Sequence, residues 1–176
     1  MSVKKFASSP VAEPDITLSH WEDIHRSRIN LAPNIKQASI NLKEFLLTHA
    51  TILSGVACED GLEDWLIKPE SSHLVNNNED AFENTVVKLS YPTFRGAFNF
   101  QEHYQNSKAK KGYIVDAVLR KIYLGDGDVW VYYCDILVAT DLRNEKLVED
   151  IRSKKVRYLS MGCVTRLKNV SNCGAH

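Results

Sequence analysis

Two residue types that together do acyl-transfer chemistry stand far apart in this chain. Ser160 lies in "VRYLSMGCVTR", Val156 to Arg166, a run that reads as a strand. Strand side chains alternate, so Leu159, Met161, Cys163 and Thr165 share one face while Tyr158, Ser160, Gly162 and Val164 share the other. The first face is the more apolar. Ser160 is thus expected to point away from it beside Gly162, where another group has room to approach. A serine hydroxyl becomes a nucleophile only when a base takes its proton, which directs attention to the six histidines. His176 is terminal, His20 and His25 lie in the first polar segment, His49 closes an apparent helix, and His73 sits in the loop-like "PESSHLV". His103, in "FNFQEHYQN" ahead of the lysine-rich "SKAKKG" and a strand, is the best-placed base. On these residues alone the bland reading, a structural serine in a strand and a structural histidine, is the commoner case, and composition does not lift Ser160 above it.

A third group would hold the histidine in place. Asp116 and Asp135 are acids within otherwise apolar strands, where an unpaired carboxylate is costly. Asp116 follows the His103 segment most closely and is preferred as the orienting acid. The competing expectation is an ion pair with Arg120, two pleats further along the same face. His176 is a weaker third candidate, because chain ends are poorly held.

The elements that must position these groups are read from periodicity and turn chemistry. Residues 1–15 mix Ser, Pro, Ala and Lys without a period and are expected to form a flexible leader ahead of one domain, 16–176. In "NIKQASINLKEFLLTH" the spacing of Ile35, Ala38, Leu42, Phe45 and Leu46 predicts a helix. "ATILSGVACE" and "DWLIKP" read as strands, and "NNNEDAFENTVVKLSYPTF" as a capped helix with Ala81, Phe82, Val86 and Leu89 inward. "GYIVDAVLRKIY" and "DVWVYYCDILVAT", joined by "GDGD", form a β-hairpin signal. "DLRNEKLVEDIRSKK" predicts a short helix burying Leu147, Val148 and Ile151. The fold class is therefore α+β, with the sheet able to close into a barrel.

Composition narrows the partners. With 176 residues the chain suits one domain with a real core, and its net charge of zero gives no general attraction to nucleic acid or an anionic membrane. No apolar run reaches the ~18 residues of a membrane span, and residues 1–15 lack the apolar core of a secretory signal, so a cytoplasmic location is expected. The four cysteines are scattered, as reduced core thiols would be.

In the order "GAFNFQEHYQ", "SKAKKGYIVDAVLR", "VYYCDILVATD", a short helix and "YLSMGC", the chain resembles the prohead (capsid maturation) serine proteases of tailed bacteriophages, particularly those of giant phages. The resemblance covers about residues 45 to 174. It implies an assemblin-like closed or partly closed β-barrel with surrounding helices, Ser160 as nucleophile and His103 as general base. It also implies an enzyme acting in the prohead inside the host cytoplasm, cleaving scaffold, capsid and internal head proteins and finally itself. Cleavage would fall after glutamate with a small residue two places earlier, and Arg166, Lys168 or Lys108 to Lys111 would meet that glutamate. "ACE" at Ala57 to Glu59 and "GLE" at Gly61 to Glu63 would be internal cleavage sites.

Two departures accompany the resemblance. Related phage enzymes draw an acid, and assemblins a second histidine, from a strand downstream of the serine, whereas no Asp or Glu follows Ser160 here. That leaves Asp116, Asp135, His176 or a residue beyond the chain for the third position. Relatives also carry a C-x-x-C knuckle in the tail, but Val170 stands at the first cysteine position, so Cys173 and His176 offer two ligands where structural zinc takes four. No metal or cofactor is expected. Assemblins imply dimerisation, for which no stretch supplies an interface helix. The alternative function is a catalytically inactive virion structural or scaffold protein that keeps the protease-like barrel.

Overall fold

The computed structural model describes residues 2–26, 41–56, 82–101, 106–123 and 130–166. In chain order the elements are β1 (Ser2–Pro14), α1 (Leu18–Arg26), β2 (Phe45–Val56), β3 (Phe82–Glu83), α2 (Asn84–Ser90), β4 (Phe98–Asn99), β5 (Gly112–Tyr123), β6 (Trp130–Asp141), α3 (Glu145–Arg152) and β7 (Tyr158–Arg166). The strands follow the order β4-β5-β6-β2-β1-β7, and β3 adds a short parallel pairing to β2. All other pairings are antiparallel. The class is α+β, as expected.

The sheet is open, which corrects the expectation of a closed barrel: among the described residues the order ends at β4 and β7, which do not pair with each other. β4 is only two residues long, so it cannot carry the ladder further round. Beyond it, Arg95 covers the edge of β5, donating from Nη2 to the Ala117 carbonyl at 2.8 Å.

Residues 2–14, expected to be a leader, instead form β1. Its first part pairs with β7 from Ser2↔Arg166 to Pro10↔Tyr158, and its last part pairs with β2 from Val11↔Ala50 to Pro14↔Thr48. Pro10 and Pro14, which have no N–H to give, fall where each ladder ends, the position a strand allows. Strand formation here depends on two distant partners, and no local period announces it.

The first expected helix is also replaced by strand where it is described. Leu42–Glu44 is a single 3-10 turn, and Phe45, Leu46 and His49 belong to β2; residues 27–40 lie outside the described residues. β2 is central and covered on both faces, so it reads as an unbroken apolar run that mimics a helix face. On one face Leu47 joins Trp21 and Ile16 from the α1 side, together with Val118, Leu137 and Ala139. On the other, Ala50, Ile52, Ile114, Ile136 and Val138 pack with Val87 of α2, while Leu46 meets Val148 and Ile151 of α3.

The hairpin strands and the two later helices agree better with expectation. β5 and β6 pair from Gly112↔Thr140 to Tyr123↔Trp130, and α3 buries Val148 and Ile151 with Arg152 in its last turn. α2 is shorter than expected and rotated: Val87 is buried while Leu89 is 73 % exposed. Pro92 sits in the following 3-10 turn, Tyr91–Phe94. "DWLIKP" and Ala81 fall outside the described residues.

Gly112, at the start of β5, makes the tightest backbone approach. A Cβ built there would overlap the carbonyl oxygen of Ala139 on β6, which is sheet backbone and cannot yield. Gly112→Ala is expected to lower the unfolding free energy by about 3 kcal/mol, the upper end of overpacking costs. Urea denaturation followed by tryptophan fluorescence measures it, and an unchanged midpoint would contradict it.

Candidate functional site

Ser160 lies in β7 with its backbone opposite Ser8 of β1. Its neighbour Leu159 packs on the core cluster of Ala50, Ile52, Val87 and Ile136, as do Tyr91, Phe94 and Ala97 just before β4. His103 lies outside the described residues, in the stretch between β4 and the 3-10 turn Ser107–Ala109. In strand order, its preceding element β4 and the serine's β7 are at opposite ends. The ladder by itself does not join the two groups.

Asp116 lies in β5. It is 2 % exposed, and three groups donate to it: Trp21 Nε1 to Oδ2 at 3.1 Å, Arg95 Nε to Oδ1 at 2.9 Å, and the Ala117 backbone N–H to Oδ1 at 2.9 Å. A bulge between Ile114 and Asp116 in the pairing to β6 puts Asp116 on the α1 face, opposite to Ile114. The anticipated ion pair exists, but its cation is Arg95, not Arg120. This bonding suits an anchor that ties α1 and the turn before β4 to β5.

Arg120 serves the other acid. Asp135 is fully buried and accepts from Arg120 Nε at Oδ2 (2.7 Å), from Arg120 Nη2 at Oδ1 (3.1 Å) and from Thr51 Oγ1 at Oδ1 (2.6 Å). The ladder explains the set: Thr51 is directly opposite Asp135 on β2, and Arg120 is two residues beyond its β5 partner Val118. Burial alone would raise the Asp135 carboxyl, but the contacts from His49, Arg120 and Thr51 outweigh it and hold the group far below the usual carboxylate range.

Next to this ion pair lies a group of buried side chains that sequence reasoning passed over. His25 is 0 % and His49 5 % exposed. The Trp21 ring is 3.9 Å from His25 and 5.2 Å from His49 between centroids, and the two imidazoles are 5.7 Å apart. His49 Nε2 stands 3.8 Å from Asp135 Oδ2. The helix that carries Trp21 and His25 did have a local signal. Thr17 is its N-cap, accepting from the His20 N–H at 3.2 Å, and Ile16 with Trp21 forms the flanking apolar pair of a hydrophobic staple. Trp21 and His25 are then four residues apart on one face.

The remaining sequence candidates are placed as follows. Cys134 is buried in the core as expected, and its thiol is pushed well up by burial first and then by Asp135, so it is no nucleophile. Lys108 and Lys110 are exposed, with Lys110 Nζ 4.8 Å from the centroid of the Phe98 ring. Lys168, Cys173, His176, His73 and both small-x-Glu triplets fall outside the described residues. Among the described residues no helix is long and apolar enough to cross a membrane.

Comparison of the chain with protein-family models, curated proteins and solved structures finds no match.

Proposed function

We propose that the chain is a serine endopeptidase of the prohead maturation type, with Ser160 as nucleophile and His103 as general base. His103 takes the proton from Ser160 Oγ as the oxygen attacks the scissile carbonyl carbon; the tetrahedral adduct collapses, and the amine leaves with that proton. Water activated by the same imidazole then releases the acyl group and restores Oγ–H. The substrates in this reading are scaffold, capsid and internal head proteins cut after glutamate, within the prohead. Its fold counterpart in this reading is an assemblin-like sheet with surrounding helices, left open rather than closed into a barrel.

The observation that carries the reading is the packing of Leu159. The residue beside Ser160 rests on the same core cluster as Tyr91, Phe94 and Ala97, which lead into the His103 stretch. Leu159 thus ties β7 to the core on the α2 side of the sheet, while β4 and β7 themselves do not pair.

A fluorophosphonate tests it. Ser160 Oγ would bond to phosphorus and displace fluoride, giving one adduct on the peptide that contains Ser160 and abolishing cleavage of a scaffold-derived peptide with a glutamate site. A protein that neither takes the label nor cleaves such peptides would fit the second reading, an inactive virion structural or scaffold protein. The opposite positions of β4 and β7 in the strand order favour that alternative.

A further inference from the structure

We infer that His25 of α1, His49 of β2 and Asp135 of β6 form a binding site for one divalent transition metal of the zinc type, buried under α1. Among the described residues these three offer one donor atom each, all within 4.8 Å of one another, and all three side chains are buried.

Three features favour a metal over a plain core cluster. Both ring nitrogens of His49 are buried and have no hydrogen-bond partner, a cost of about 1–3 kcal/mol for each unsatisfied group. The 3.8 Å from His49 Nε2 to Asp135 Oδ2 exceeds a hydrogen bond. It is instead close to the roughly 3.4 Å that separates two donors on a tetrahedral ion with bonds of about 2.0–2.2 Å. Finally, Arg120 engages the Asp135 carboxylate through Nε at Oδ2 and Nη2 at Oδ1, while Oδ2 is also the oxygen that stands nearest His49 Nε2.

Two imidazoles and one carboxylate match zinc or cobalt and not magnesium or calcium, which want more oxygens. A tetrahedral ion held by these three donors would leave its fourth position to water or hydroxide. The ion would clamp α1, through His25, to the centre of the sheet. Thr51 and Arg120, which bond to Asp135, would act as outer-shell groups that hold its orientation.

The test is a titration of chelator-treated, desalted full-length protein with cobalt(II), followed by its visible absorption. The expected result is uptake of one equivalent with the intense band of a four-coordinate ion, displaced by zinc. His49→Gln is expected to weaken binding by more than about 100-fold, beyond the 10–100-fold cost of losing an outer-shell partner. A Cys173→Ala, His176→Ala double variant should keep the band. X-ray absorption on the unaltered protein removes any dependence on how a variant folds, and should report nitrogen and oxygen ligands with no sulfur. No stoichiometric uptake, undiminished binding by His49→Gln, or a sulfur ligand would each overturn the inference. None of these readouts involves peptide cleavage, so the outcome is independent of the protease reading.

Discussion

Replacing Ser160 with alanine is expected to lower kcat/KM for a glutamate-site scaffold peptide by roughly 10^4- to 10^6-fold, the loss that follows removal of a nucleophile or its base. The size reflects a change of mechanism. Without Oγ no acyl-enzyme forms, and only substrate binding and oxyanion donors remain to act on direct attack by water. His103→Ala should fall into the same range, and the double variant should be little worse than either, because the two groups act as one unit. Asp116→Asn separates orientation from architecture. Its carboxylate already bonds to Arg95 and Trp21, so the structural task predicts less than about a tenfold change in kcat/KM alongside a loss of stability. A drop near the 10^4 typical of a lost orienting acid would assign it to the catalytic set. Retention of near-normal cleavage by Ser160→Ala would remove the protease assignment altogether.

The second large effect is on stability. Arg120→Met is expected to cost about 3–5 kcal/mol of unfolding free energy, because it leaves the fully buried Asp135 carboxylate without its cation. With a urea slope of about 1–3 kcal/mol/M, the midpoint should drop by about 1–5 M. Removing Arg152 from its exposed pair with Asp15 (3.0 Å) should change stability by less than about 1 kcal/mol. The pH dependence has a definite sign. Asp135 titrates lower in the folded protein than its unfolded value of about 3.9, so its stabilisation is complete above that value and is lost as pH falls toward the folded one. The unaltered protein should therefore weaken in acid below about pH 4, and Arg120→Met should flatten that dependence. An Arg120→Met midpoint within error of the unaltered protein would refute the account.

The elements that were legible in the sequence are those set by neighbours in the chain. β5 and β6 are long β-branched and aromatic runs on either side of the turn-forming residues "GDGD", β7 shows alternation in "RYLSMGCVTRL", and α3 has its apolar residues at helical spacing. β2 was misread because a strand covered on both faces loses its alternation. β1 was missed because its ladder bonds come from β2 and β7, tens of residues away. α1 was missed although Thr17, Trp21 and His25 carried a capping and periodicity signal.

The same division runs through the candidate site. That acids in apolar strands need cations was evident from sequence, since burying an unpaired charge is so costly. Which cation meets which acid was not. The bulge at Val115 turns Asp116 to the α1 face, and the β5–β6 register sets Arg120 diagonally from Asp135, leaving Arg95 to reach Asp116. The sequence by itself determined the residue types able to do chemistry, the hairpin and the α+β class, because these depend on side-chain identity and local period. Tertiary structure alone decided that the sheet stays open, that residues 2–14 are a strand, and that His25, His49 and Asp135 meet under α1. Each of those depends on contacts between segments far apart in the chain, whose register no local pattern encodes.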